Sequence, residues 1–143
     1  MLSGVGTFMK TTTDSKLDEL ARVPLFAGLP KVDLERIAAA GDIVDAPCGS
    51  DLTREGRLGH EVFVLLDGGA AVHAGGEVLN VVEPGSVVGE LAVLGRGRRT
   101  ATVTTTAPSR VFVFAGHEFR RIAHDMPVLA SRLLRKVAEH LAA

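Results

Sequence analysis

The spacing of apolar residues changes twice along the chain. Near Leu17 and again over Lys31–Ala40, apolar side chains recur every three or four residues, which predicts short helices. From Asp42 to Ala115 the residues form short runs rich in Val, Thr and Phe, which predict β-strands. Helical spacing returns over Gly116–His124 and, after an interruption at Asp125-Met126-Pro127, over the rest of the chain.

Turns that contain glycine separate the predicted strands. Asp67-Gly68-Gly69 and Gly75-Gly76 each predict a hairpin in which two residues take positive φ. Glu83-Pro84-Gly85-Ser86 predicts a type II turn, because Pro fixes φ at one central position and Gly allows positive φ at the other. Many short strands between helices predict an α+β fold, an antiparallel β-roll of jelly-roll type flanked by N-terminal and C-terminal helices. We expect residues 1–15 to form a flexible tail and residues 16–143 to form a single domain.

Length and composition fit one folded domain and give little indication of its partners. The chain has 143 residues, 46% of them hydrophobic and 23% charged, with a net charge of −1. This charge gives no reason to expect nucleic acid or an anionic membrane as a partner. No run approaches eighteen apolar residues, and the first residues lack the apolar core of a signal peptide, so we expect a soluble cytoplasmic protein.

Residues typical of catalysis or metal binding are present but not suitably arranged. The five histidines lie in different predicted elements, and no pair of them has the spacing of metal ligands. The single cysteine, Cys48, cannot form an internal disulfide or hold an iron–sulfur cluster. No Ser/His/Asp set or carboxylate pair indicates catalysis. We therefore expect no metal, no cofactor and no enzymatic activity.

The segment from Val88 to Val103 is the most informative about function. Gly89 precedes a predicted helical turn, whose free backbone N–H groups attract anions. Arg99 and Thr100 supply a planar fork of donors and a hydroxyl, both suited to phosphate oxygens. Glu90, at the start of the turn, can accept hydrogen bonds from a sugar hydroxyl. Together these features predict a site for a ligand that carries a phosphate and a sugar.

This segment resembles the phosphate-binding cassette of cyclic nucleotide-binding domains. It has the family's Gly-Glu-Leu-Ala-x-Leu, then a variable loop, then Arg-Thr-Ala-Thr-Val. Such domains occur in bacterial catabolite activators, in regulatory subunits of cAMP-dependent kinase and in nucleotide-gated channels. The resemblance continues over most of the chain from Val23, through the opening helix at Leu25–Leu29, the turn at Arg54–Gly56, the central hairpin at Val62–Gly68 and the closing helices at Phe119–Leu141.

The resemblance implies a role for each residue of the site. Glu90 would accept a hydrogen bond from the ribose 2′-OH, Arg99 would pair with the cyclic phosphate, and Thr100 would add a hydroxyl donor. The other implied ligand-binding residues are Gly89, Leu91, Ala92 and Ala101 in the phosphate cradle, and Val72, Leu79 and Val88 in the apolar wall around sugar and base. His140, on the last helix, is the candidate lid.

The cassette departs from the family pattern just before its arginine. The family usually has Pro there, whereas this chain has Arg98, preceded by Gly97 and Arg96. The loop is therefore expected to be more flexible and more basic than usual. Thr100 leaves the choice between cAMP and cGMP open.

The resemblance implies a stand-alone, non-enzymatic sensor for cAMP or cGMP that signals through its C-terminal helices. The partner would be another protein or a second copy of the chain, reached through the last helix, whose apolar face carries Ala130, Leu133, Leu134, Val137 and Leu141. No helix-turn-helix follows before Ala143, so we expect no DNA binding. Two alternatives stay open: an interaction module with the same fold and no ligand, and a regulatory subunit of a separate enzyme.

Overall fold

The computed structural model describes residues 13–90 and 97–142, with the backbone alone for residues 13, 14 and 136–142. The helices are α1 (Thr13–Ala21), α2 (Lys31–Ala39), α3 (Gly116–Asp125) and α4 (Pro127–Ala142). The strands are β1 (Gly41–Ala46), β2 (Asp51–Thr53), β3 (Glu61–Asp67), β4 (Ala70–Ala74), β5 (Glu77–Val82), β6 (Val87–Val88), β7 (Thr102–Thr105) and β8 (Ser109–Ala115). Helix α1 begins three residues before the predicted start of the domain.

The described strands form two four-stranded antiparallel sheets. The first has the order β1-β8-β3-β6 and the second the order β2-β7-β4-β5. The long pairing of β3 with β8 places Phe63 opposite Val113 and Val64 opposite Phe112. The predicted α+β fold, an antiparallel β-roll flanked by helices, is confirmed. None of the helices within the described ranges has the length and apolar character needed to cross a membrane.

Strand β3 is buried on both faces, which explains its unbroken apolar sequence. Val62 and Val64 pack against the helices, in a core that also contains Phe26 and Leu129. Alternate residues point to opposite faces of a strand, so Phe63 and its neighbours at the same spacing fill the second core, between the two sheets. The first sheet is therefore the middle layer, with helices on one face and the second sheet on the other.

Aromatic contacts join the first sheet to the helices at both ends of the chain. The ring of Phe114 meets Phe26, Phe112 and Phe119 edge to face, with centroids 6.3, 4.6 and 5.5 Å away. This geometry is favourable beyond the burial of area alone. The segment before α2 and helix α3 are thereby fixed on the same strand.

The packed face of α4 differs from the predicted one. Met126, Leu129 and Leu133 are buried, whereas Leu134 is 70% exposed. Adjacent helical residues point about 100° apart, and here Leu133 faces the core while Leu134 faces outward. For Leu134, contact with a partner stays a prediction, and the side chains of Val137 and Leu141 lie outside the described residues.

One of the two predicted hairpin turns has only one residue at positive φ. Gly75 and Gly76 both take positive φ, 59° and 82°. In the other turn Gly68 has a φ of 96°, but Gly69 does not take positive φ. Here the hydroxyl of Ser109 on β8 accepts a hydrogen bond from the Gly69 amide at 3.3 Å. A neighbouring strand thus helps to close this turn.

Candidate functional site

The predicted phosphate-binding segment begins where strand β6 ends. Gly89 follows β6 with a φ of 90°, a conformation that favours glycine. A Cβ at this position would lie 3.0 Å from the carbonyl oxygen of Glu61 and 3.3 Å from Cζ of Arg99. Both the backbone and its neighbours therefore require glycine here. Leu91 and Ala92, predicted to form the cradle, lie outside the described residues, as does Arg96.

Arg99 is a buried cation held by backbone oxygens. Its side chain is only 7% exposed. Nη1 donates to the carbonyl of Gly89 at 3.0 Å, and Nη2 donates to the carbonyl of Glu61 at 2.8 Å. The guanidinium carbon lies 5.8 Å from the ring centroid of Phe63, within the range of a cation–π contact. These contacts fix the position of the guanidinium next to Gly89, at the start of the predicted cassette.

The structure brings Glu90 and Arg99 into one electrostatic environment. Glu90 is buried, with 2% of its surface exposed. Burial lowers the pKa of Arg99 from its usual value, while the charges of Glu61 and Glu90 oppose that effect. An arginine keeps its charge at neutral pH regardless. The two predicted polar residues are thus both buried, and their opposite charges interact within the cassette.

The three predicted wall residues differ in their surroundings. Val88 belongs to the core between the sheets, and Val72 packs against that core. Leu79 is 60% exposed and is not part of this cluster. The register between β4 and β5 shifts at this point, with Val72 opposite Asn80 and His73 opposite Val78. Leu79 is therefore an extra residue at a β-bulge, a feature that redirects a side chain.

The remaining predicted residues are placed at the edge of the site. Thr100 is exposed and Ala101 is half-buried, both just before β7. The carbonyl of Ala101 accepts a hydrogen bond from Thr53 at 2.9 Å. The backbone of His140 lies in α4, but its side chain is outside the described residues. Within the described ranges, no group of three His, Cys, Asp or Glu side chains is arranged to hold a metal.

The loop between β2 and β3 takes part in the site, although its sequence predicted only a turn. A cavity of about 700 Å³ lies between this loop and the end of the cassette. Arg54, Arg57 and His60 line it from the loop, and Arg98 and Arg99 line it from the cassette. Among the predicted ligand-site residues that the structure describes, Arg99 is the one that lines this cavity. In the sequence, the close spacing of Arg54 with Arg57 and of Arg98 with Arg99 was the signal that could have indicated this cavity.

Known proteins are similar to this chain in sequence. A CRP-like cAMP-activated global transcriptional regulator of Mycobacterium tuberculosis is 28% identical over 131 residues, which are 87% of this chain and 58% of the regulator. The acetyltransferase Pat of Mycolicibacterium smegmatis is 31% identical over 140 residues, 94% of this chain and 41% of Pat. The chain thus spans less than two thirds of either relative.

Solved structures agree with the sequence matches. The cAMP-binding acyltransferase from Mycobacterium smegmatis superposes with a TM-score of 0.76 at 29% identity, over 91% of this chain and 42% of the acyltransferase. The family model of the cyclic nucleotide-binding domain matches residues 43–125, which include the cassette and both sheets except for the first two residues of β1. With its β-roll, its cassette and these matches, the chain belongs to the cyclic nucleotide-binding domain family.

Proposed function

We propose that this domain is a non-enzymatic sensor that binds cAMP or cGMP through Glu90 and Arg99. The burial of both charged residues in one electrostatic environment is the observation that carries the proposal. A pocket without a ligand gains little from burying a carboxylate and a guanidinium, because each loses its hydration. Two similar proteins, a cAMP-activated regulator and a cAMP-binding acyltransferase, support the same ligand class.

Each polar residue then has one task toward the nucleotide. Arg99 presents guanidinium N–H groups to the cyclic phosphate, and Glu90 accepts a hydrogen bond from the ribose 2′-OH. Val72 and Val88 provide apolar surface, and the bulge leaves Leu79 exposed to complete the wall around the base. Thr100, exposed beside Arg99, adds a hydroxyl donor. The test is a titration of the domain with cAMP and with cGMP.

Helix α4 transmits the binding of nucleotide from the sensor to its partner. Its buried residues Leu129 and Leu133 pack in the helix-side core. Arg132 donates from Nη1 to the carbonyls of Leu25 and Ala27 at 2.9 and 2.8 Å, so the helix is fastened to the segment before α2. Helix α4 follows α3 after a break at Met126, whose extended φ and ψ of −117° and 91° end the preceding helix.

The break between α3 and α4 is also held by charged side chains. Asp125 accepts a hydrogen bond from Arg36 of α2 at 2.5 Å. Hydrogen bonds from His124 and Arg36 lower the pKa of Asp125 from its usual value. The end of α3 is therefore anchored on α2, directly before the start of α4.

We expect cyclic nucleotide to slow amide exchange in residues 128–141 as well as in residues 88–103. A ligand shifts a helix only if it interacts better with one position of that helix than with another. Hydrogen exchange followed by mass spectrometry, with and without saturating cAMP, measures this. Protection confined to residues 88–103 would mean that α4 does not report occupancy.

We expect no sequence-selective DNA binding by these 143 residues. The net charge of −1 gives no sequence-wide attraction to phosphate backbones. The measurement is a gel-shift assay at physiological ionic strength, with and without cAMP. A sequence-selective shift that weakens with added salt would contradict this expectation.

Regulation of an acyltransferase is the second candidate function. The similarity to Pat covers 94% of this chain and 41% of Pat, and a solved acyltransferase structure matches 91% of this chain, which are the observations that support this candidate. The domain would then bind the cyclic nucleotide in the same way, and α4 would act on a catalytic domain. An acyltransfer assay on the native protein, with and without cAMP, tests this candidate, and activity that cAMP leaves unchanged would contradict it.

A further inference from the structure

We propose that Gly59, in the loop between β2 and β3, is a positioning residue for Arg99. Gly59 lies outside the cassette and has no side chain that could contact a ligand. Because it lacks a Cβ, the guanidinium of Arg99 can occupy the space next to its backbone. The inference rests on the proposed function, because the group that it positions is the one that would bind the cyclic phosphate. Three observations support this role: the hydrogen bonds between the backbones of the loop and the cassette, the space that a Cβ on Gly59 would fill, and the fixed contacts on the other side of the Arg99 guanidinium.

The backbone at Arg99 is joined to the loop by hydrogen bonds in both directions. The amide of Arg99 donates to the carbonyl of Arg57 at 2.8 Å, and the carbonyl of Arg99 accepts from the amide of Gly56 at 2.9 Å. The amide of Gly59 donates to the carbonyl of Gly97. The end of the cassette therefore cannot move without the loop.

The guanidinium of Arg99 lies against the backbone of Gly59. A Cβ built on Gly59 would lie 2.5 Å from Cζ and 2.8 Å from Cδ of Arg99, distances that real Cβ atoms do not show. Gly59 does not take positive φ, so alanine suits its backbone. The loop therefore needs glycine at this position because of Arg99, whereas Gly89 also needs it for its own φ of 90°.

Other contacts of the Arg99 guanidinium also restrict its movement. Its two terminal nitrogens are bound to the carbonyls of Glu61 and Gly89, and its guanidinium carbon lies 5.8 Å from the ring centroid of Phe63. A methyl group at residue 59 would push the guanidinium off these partners or push the loop away from the cassette. Either movement displaces the guanidinium from the position in which it would meet the cyclic phosphate.

The test combines Gly59→Ala with a matched control and with removal of the arginine side chain. Gly69→Ala is the control, because Gly69 also lacks positive φ and its added Cβ would first meet Thr106 Oγ1 at 3.2 Å. Calorimetric titration with cAMP should show about a tenfold weaker affinity for Gly59→Ala, the scale of one charge-assisted hydrogen bond. Gly69→Ala should bind like the wild type.

A stability measurement separates positioning from a general defect in the loop. In urea unfolding, Gly59→Ala should lower the midpoint in the wild-type background and lower it much less in the Arg99→Ala background, because the clash is then gone. Equal losses of stability in both backgrounds, or unchanged cAMP affinity in Gly59→Ala, would overturn the positioning role and leave the proposed function standing. A wild-type domain that fails to bind cyclic nucleotide would instead overturn the proposed function.

Discussion

Replacing Arg99 with alanine is expected to raise the dissociation constant for cyclic nucleotide by about 30- to 1,000-fold, which corresponds to roughly 2–4 kcal/mol. The reason is the burial of Arg99, a residue that is 7% exposed and whose guanidinium is held by the carbonyls of Glu61 and Gly89. A charge-assisted hydrogen bond to phosphate is stronger where water is excluded. Calorimetric titration of the variant with cAMP and cGMP measures the loss.

Arg135→Ala is the matched control for this experiment. Arg135 is exposed on α4 and belongs neither to the cassette nor to the loop between β2 and β3. Its replacement should leave affinity unchanged. Circular dichroism and urea unfolding of both variants show whether the fold is retained, since Arg99→Ala also removes the donors to two carbonyls. If a folded Arg99→Ala protein bound cyclic nucleotide as tightly as the wild type, the assignment of the cassette would be wrong.

The second large effect concerns the sugar. The wild type is expected to prefer cAMP over 2′-deoxy-cAMP by about ten- to a hundredfold, because the buried carboxylate of Glu90 would lose its partner without the 2′-OH. In Glu90→Gln the preference should shrink, since a neutral amide loses less when that partner is absent. Parallel titrations of both proteins with both nucleotides give the four affinities.

Glu83→Gln serves as the control for the sugar experiment. Glu83 is exposed and lies in the turn between β5 and β6. Its replacement removes the same charge from the chain and should leave the preference for the 2′-OH intact. Equal affinities of the wild type for cAMP and 2′-deoxy-cAMP would remove Glu90 from the ligand site, whatever the variant does.

Features set by local sequence could be predicted without the structure. Alternation and glycine turns predicted the strands, and the helix predicted over Lys31–Ala40 appears as Lys31–Ala39. The cassette was predictable because Gly89, Glu90 and Arg99 occur at characteristic spacing within one short segment. The residue types of Glu90 and Arg99 are enough to indicate which ligand groups they could bind, and the structure adds that both residues are buried.

Features that depend on distant contacts could not be predicted in the same way. Gly59 looks like an ordinary loop glycine until the fold places Arg99, forty residues later, against its backbone. The carbonyl of Glu61 gives no signal in a sequence, although it anchors the same arginine. Leu134 fits the apolar spacing of α4, but only the packing shows that the core takes Leu133 instead.

The most direct test of the central claim is calorimetric titration of the purified domain with cAMP and with cGMP. We predict saturable binding with one nucleotide per domain for at least one of the two, abolished or severely weakened by Arg99→Ala. The absence of saturable binding by a folded wild-type domain, for both nucleotides at millimolar concentration, would contradict the account and favour an interaction module without a ligand.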